Sequence, residues 1–544
     1  MSWALIFLCF GIFSSIGKSA LANASYGSTI PDLIDITAEN IAAGLESGQF
    51  TSVDLVEAYL ARIDEVNPEL NIVTEQNPDA IAIAQALDNE RKEGKIRGPL
   101  HGVPILIKNN IATKDKMNNT AGSYALLGAM VPRDSTIAAK LRAAGVVILG
   151  KANLSQWANF RSGNSSNGWS SYGGQVFGAY YPGQDPSGSS SGSGVASALG
   201  LALASLGSET DGSILSPSGV NNLVGIKPTV GLTSRNLVIP ISEHQDTVGP
   251  MARTVKDAAY ILAAIAGKDE HDNYTSAIPY DPLPDYVAAC NFSSFLGARI
   301  GIPRNAISSD SSTEPVLFAF ENAVQIISKA GATIIDNANY SAYDEYLIGN
   351  GNETIVLNAD FISNLASYLS ELTSNPEDVL TLADVSNFTQ TDPREEYPDR
   401  DTAVWDLALE TGFNNTDPRF WAAYQADLYF GGVGGVLGAL ERDGLDALIL
   451  PTQFSPGIPA LVGYPVITVP LGFYPPNTTV QQNSRGDLVQ TGPHIPFGIS
   501  FLGRAFSEAT LISFAYAFEQ RTLARNKVQP YIVPSTELVD VLGG

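Results

Sequence analysis

The chain has 544 residues, 44% of them hydrophobic and 16% charged, which is too apolar a balance for a disordered chain. With 56 acids against 31 bases it carries a formal charge of −25, so its surface repels phosphate backbones and anionic lipid headgroups. Nucleic acid and membranes are therefore not expected as partners, and no fixed-period repeat or low-complexity tract suggests a fibrous or solenoid design.

Residues 1–22 read as a secretory signal. The run Trp3-Ala-Leu-Ile-Phe-Leu-Cys-Phe-Gly-Ile-Phe13 is too short to span a bilayer, and Ala20-Leu-Ala22 has the small-x-small form of a cleavage site, although no Lys or Arg precedes the run. The mature protein, residues 23–544, is then expected to be secreted. Cys9 leaves with the signal and Cys290 stays as a lone thiol, so stability must come from core size and not from a disulfide. Sequons at Asn23, Asn273, Asn291, Asn339, Asn352, Asn387, Asn414 and Asn477 fit export, whereas Asn153 and Asn164 sit among the motifs and are poorer acceptors.

Helical spacing starts at Thr37 and again at Ser52, each with an acid two residues later. Val103-Pro-Ile-Leu-Ile-Lys-Asn-Asn110 reads as a short buried strand reaching Lys108. Ser135–Gly145 followed by Val146-Val-Ile-Leu149 reads as helix, glycine stop and strand. Val195–Leu206 is an apolar segment built for burial. Buried strands are expected again at 298–303 and 332–335, around a helix over 314–330, and at 445–450 and 466–469. Strands alternating with helices predict an α/β layered fold, and no linker divides it. The polar stretch 340–430 is read as an irregular insertion or lid, with Arg394–Asp401 as solvated loop.

None of His101, His244, His271 and His494 pairs at metal-ligand spacing, no Walker A ending is present, and neither metal nor cofactor is expected. Gly188-Ser-Ser-Ser-Gly192 matches the G-x-S-x-G nucleophile elbow around Ser190, but a loop and not a strand precedes it. Of the histidines, His494 alone is well placed downstream to serve it.

A second arrangement carries more. Lys108 ends a buried strand; Gly188-Ser-Ser-Ser-Gly-Ser193 follows, then Gly207-Ser-Glu-Thr-Asp-Gly-Ser213 and Gly225-Ile-Lys-Pro-Thr229. In this order, with 24 residues from Ser189 to Ser213, the chain resembles the amidase signature family of Ser–cis-Ser–Lys hydrolases. His101–Lys108, Asp246–Arg253, Gly463–Pro470 and Pro496–Gly503 resemble further family blocks, so the likeness spans nearly the whole mature chain. The Glu-Thr-Asp-Gly-Ser wording is most similar to peptide amidases and their fungal relatives.

The resemblance implies one large α/β/α domain with a mixed central sheet. It implies that Ser213 attacks an amide to form an acyl-enzyme, that Ser189 (after a cis peptide bond) relays the proton, and that Lys108 is the base. The residue types suit those tasks: a serine alcohol needs a base, and a lysine becomes one when desolvation on an apolar strand keeps it neutral. Backbone N–H groups around Thr210, Asp211 and Gly212 can converge on a tetrahedral oxyanion. Many relatives carry Arg where this chain has Leu215, so a carboxylate substrate lacks a charge partner there and neutral amides, peptide C-terminal amides among them, are favoured. Two rival readings are a subunit of a tRNA-dependent amidotransferase, which the secretion signal opposes, and a non-catalytic secreted glycoprotein, which intact Lys108, Ser189 and Ser213 oppose.

Overall fold

An eleven-stranded mixed sheet organises the protein. The computed structural model describes residues 30–542 apart from Ser311 and Asn350, so the signal and the Asn23 sequon lie outside the described residues. In chain order the strands are β1 (Val73–Gln76), β2 (Pro104–Lys108), β3 (Val147–Ala152), β4 (Ala204–Glu209), β5 (Val224–Lys227) and β6 (Thr247–Ala252). They continue with β7 (Arg299–Gly301), β8 (Thr333–Ile335), β9 (Ala447–Pro451), β10 (Val466–Phe473) and β11 (Pro496–Leu502). Across the sheet they run β1-β3-β2-β4-β6-β5-β10-β11-β9-β7-β8. β3, β2 and β4 are parallel, as are β9, β7 and β8, while the strands between these groups pair antiparallel.

Every residue of β2, β3, β4 and β6 is buried, which requires cover on both faces and explains why β2 and the start of β3 read as apolar runs without alternation. The helix Ser191–Ala198 packs on β4, and the helices Glu314–Lys329 and Glu508–Thr522 pack on β10. The apolar segment Val195–Leu206 is thus not one element: its first residues end a helix, Gly200 turns the chain at φ +61°, and the rest enters β4.

One local reading shifts by a residue. The first helices run Ala38–Ser47 and Ser52–Leu70, and their N-caps are Thr37 and Thr51. Each cap closes a box with the third helical residue, Asn40 in one case and Asp54 in the other; Glu39, the acid two residues after Thr37, takes no part.

Residues 340–430 are not irregular. They hold the helices Tyr343–Gly349, Gly351–Ser370, Leu382–Thr391, Ala403–Thr411 and Pro418–Gly431, with a separate apolar cluster that includes Trp157, Phe361 and Trp405. Arg394–Asp401 is mostly exposed, as its charge suggests, but Glu395 and Arg400 turn inward. Glu395 is fully buried and accepts from Ser123 Oγ (2.8 Å), Tyr124 N (2.8 Å), Gln156 Nε2 (2.5 Å) and Arg161 Nη1 (3.0 Å). A buried carboxylate needs that many donors, and they come from a segment more than two hundred residues earlier, which no local pattern reveals.

Candidate active site

β2 delivers Lys108 to the sheet interior, fully buried, where Nζ donates to Ser189 Oγ (2.8 Å), Ser208 Oγ (3.0 Å) and the Ser208 carbonyl (3.1 Å). Burial pushes the ammonium down from 10.5 to about 7, against the upward pull of Asp246 and Glu209. Lys151, on the neighbouring β3, is buried and pushed down to about 7 as well, but its Nζ is committed to Ile111 O (2.6 Å) and Asn119 Oδ1 (2.8 Å). A low pKa therefore does not single out a base. Contact with a serine hydroxyl distinguishes Lys108.

Ser189 follows a cis peptide bond from Gly188 and is fully buried at the start of the helix Ser191–Ala198. A side chain at Gly188 would crowd this loop, since a Cβ would lie 2.4 Å from Ser155 Oγ and 2.9 Å from Asn159 Nδ2. Gly188→Ala is expected to displace the serine loop and lower amide turnover by about 10²-fold, measured as kcat on the purified protein, because sub-ångström placement governs such relays.

Ser213 sits where β4 turns into the short helix Leu215–Val220. Its carbonyl accepts from Ser190 N (3.2 Å), tying the turn to the serine loop. Among the described residues Ser213 Oγ has no hydrogen-bond partner, and the residue keeps 7% exposure. The structure thus brings Lys108 and Ser189 into direct contact and joins Ser213 to them through the main chain.

The polar groups of the turn divide their tasks. Glu209 Oε2 takes the N–H of Ile214 (2.7 Å) and Leu215 (2.9 Å), and the Gly212 N–H adds to the stabilisation of this buried carboxylate without meeting hydrogen-bond geometry at Oε1. Thr210 Oγ1 donates to Asp246 Oδ1 (2.6 Å), whose other oxygen takes Ile241 N (2.7 Å). Gly212 stands at φ +83°, a conformation that suits glycine. Asp211 is exposed to solvent. The N–H groups of Asp211, Gly212 and Ser213 form no hydrogen bond among the described residues. Ser208, Asn110 (Nδ2 to Ser208 Oγ, 2.9 Å), Glu209 and Asp246 had no role in the sequence reading; all but Asn110 stand inside the matching blocks, but their partners become visible only in three dimensions.

The elbow arrangement does not form. Ser190 Oγ donates to the Ser208 carbonyl (3.1 Å), and His494 is exposed beside Phe473. One grouping went unseen in the sequence: Glu243, His244 and Asp360 place ligand-type atoms within 4.8 Å of one another, as a metal site would. Those atoms already have partners. Asp360 accepts from Ser242 Oγ (2.6 Å) and Asn415 Nδ2 (2.9 Å), His244 Nδ1 lies 2.8 Å from it, and Glu243 takes the other Asn415 bond (2.8 Å). The knot pins the loop before β6 to the helical segment.

Beside Ser216 and Gly219, a cavity of about 370 Å³ is lined by Ser187, Thr452, Gln453 and Tyr474 among others, with no charged side chain.

Such a sheet, with a buried lysine set against a serine loop, is the architecture of an amide-hydrolysing enzyme. The chain belongs to the amidase family, whose sequence profile it matches over residues 54–512. A protein of Arthroderma benhamiae is 55% identical over 94% of this chain and 90% of its own. The peptide amidase of Stenotrophomonas maltophilia is 36% identical and superposes with a TM-score of 0.81, over 92% of this chain and 99% of that one. An amidase family protein from Bacillus anthracis is 30% identical with a TM-score of 0.80, over 92% and 93%.

Proposed function

We propose that this amidase is secreted and hydrolyses linear carboxamides lacking a carboxylate, peptide C-terminal amides among them, through an acyl-enzyme on Ser213. The observation that carries the reading is the 2.8 Å contact of a fully buried lysine with Ser189, one loop bond away from an unpartnered serine hydroxyl. Neutral Lys108 withdraws a proton from Ser189 as Ser189 takes that of Ser213, and Ser213 Oγ attacks the carbonyl carbon. The developing oxyanion is held by N–H groups of the 211–213 turn, of which that of Gly212 also faces the Glu209 carboxylate; Thr210 contributes by anchoring that turn on Asp246. The proton then returns to the leaving nitrogen, and water resolves the ester by the same relay. The uncharged cavity beside Ser216 suits a carboxamide and offers nothing to a carboxylate.

Similarity to a peptide amidase over nearly the full chain supports the substrate class. Labelling of the purified protein by a serine-directed phosphonate, blocked by a peptide amide, tests the centre; absence of labelling and of amide turnover would leave the non-catalytic reading in its place.

Secretion rests on residues 1–22 and on sequons at exposed positions such as Asn291, Asn387, Asn414 and Asn477. Asn153 is buried, with Nδ2 donating to main-chain carbonyls, so it is closed to a glycosyl transferase; Asn164 is exposed and belongs with the open sites. Among the described residues no helix is long and apolar enough to cross a membrane. Mass spectrometry of the secreted form is expected to show a chain starting at Asn23, and a product retaining Met1 would contradict the signal.

A further inference from the structure

Three carboxyl groups, Asp211, Glu353 and Asp427, act on one another beside the oxyanion turn, and the buried one, Asp427, lacks a donor. Asp211 lies two residues before Ser213. Glu353 comes from the helix Gly351–Ser370 and Asp427 from the helix Pro418–Gly431, and these two helices pack together. Asp427 is 3% exposed, and its Oδ2 has no hydrogen-bond partner among the described residues. Gln245 is 1% exposed; Nε2 donates to Glu353 Oε1 (3.0 Å), while its own Oε1 is left without a donor. All three acids act on the Tyr346 hydroxyl, which lies 3.5 Å from a methyl position on Gly457, and the neighbouring Pro456 lies 3.5 Å from one on Gly212.

The buried atoms left without a partner here, Asp427 Oδ2 and Gln245 Oε1, are oxygens. The cation facing them from β5, Lys227, is committed to the Tyr464 carbonyl (2.7 Å). Glu209 adds a further negative charge from β4, and Tyr424 a phenol from the helix Pro418–Gly431. A buried acceptor with no donor is costly, and a ligand that relieves several at once must donate hydrogen bonds and carry positive charge. We propose that Asp211, Glu353 and Asp427, with Gln245 Oε1, form a subsite that receives an ammonium or guanidinium group on the acyl portion of the substrate. The assignment rests on reading the Ser213 turn as the acyl-transfer centre; ammonia leaves from a carboxamide, so a cation that binds here must belong to the acyl side.

The ionisation of the cluster fits such a ligand. Burial first, and Asp427 beside it, pushes Glu353 up to about 7; burial alone raises Asp427 to about 7; and burial with the nearby Glu353 and Glu209 holds Asp211 well above the usual carboxylate range. Without a cation Glu353 and Asp427 are partly protonated near neutrality. A bound cation favours the ionised forms and expels protons, so its affinity rises as pH climbs through about 7.

The test compares kcat/KM for Nα-acetyl-lysinamide and Nα-acetyl-norleucinamide, which differ by the ammonium. The expected preference for the lysine amide is at least ~10-fold at about pH 8.5 and falls to roughly 2-fold at about pH 6. The common titration of Lys108 cancels in the ratio. Asp427→Asn and, as a second variant, Glu353→Gln are expected to bring the ratio near unity at both pH values. A wild-type ratio of one throughout, a preference that both variants retain, or a preference that depends on added Mg²⁺ or Ca²⁺ would overturn the subsite. If neither amide is turned over, the acyl-transfer reading fails with it. If both are turned over equally, only the subsite fails.

Discussion

Ser213→Ala is expected to lower kcat/KM on a peptide amide by about 10⁴–10⁶-fold, the loss seen when the nucleophile of a serine hydrolase is removed. Fold stability should barely change. Ser213 Oγ has no hydrogen-bond partner among the described residues, so its removal leaves no orphaned group, and the main-chain link from Ser190 N to Ser213 O survives. A shift in Tm of no more than about 1 °C follows for a chain of this size. The control is Ser190→Ala. Its hydroxyl bonds the Ser208 carbonyl and touches no candidate base, so that variant should retain most of its activity. Thermal melts and steady-state kinetics on the three proteins decide the matter. Full turnover by Ser213→Ala together with loss in Ser190→Ala would transfer the nucleophile to the elbow serine and remove the present assignment.

The pattern of the chain discloses parts of this design unevenly. Where one element carries its own signal, as in the run Val103–Asn110 or the helix stop at Gly145 (φ +81°), local physics suffices. The spacing of Lys108, Ser189 and Ser213 was visible because all three lie in motif blocks whose order could be matched. Environments were not visible. Glu395 reads as one acid in a charged loop, and only the pairing with Arg161 and Gln156 shows it as a buried anchor. Gln245 and Glu353 are separated by 108 residues, and nothing in either neighbourhood announces their contact. Cap placement slipped for a different reason: Thr51 and Ser52 are both good caps, and the reciprocal bond of Asp54 with Thr51 decides between them. Residues whose task depends on long-range partners are therefore the ones a single sequence hides, and here they include the acids that flank the nucleophile turn.

Lys108→Ala separates the two tasks that its position allows, proton transfer and support of the serine loop. In the wild type the active form of Lys108 is neutral. With its pKa pushed down to about 7 by burial, kcat/KM should rise with pH through that value and level off above it, since acid protonates the base and alkali does not harm it. Removing the amine should flatten this limb and lower amide hydrolysis by on the order of 10³–10⁴-fold, the upper range for general acid–base catalysis. A matched ester should lose less, about 10–10²-fold, because an alkoxide departs with little protonation whereas an amide nitrogen must receive the proton that the lysine stores. If Lys108 served only to shape the loop through its bonds to Ser189 and Ser208, the misplaced nucleophile would penalise both substrates alike. Lys108→Met, which keeps the volume of the buried stem but loses the bonds of Nζ, should reproduce the amide-selective loss with the packing still filled. Equal losses for ester and amide in both variants, with the acid limb unchanged, would remove Lys108 from the proton path.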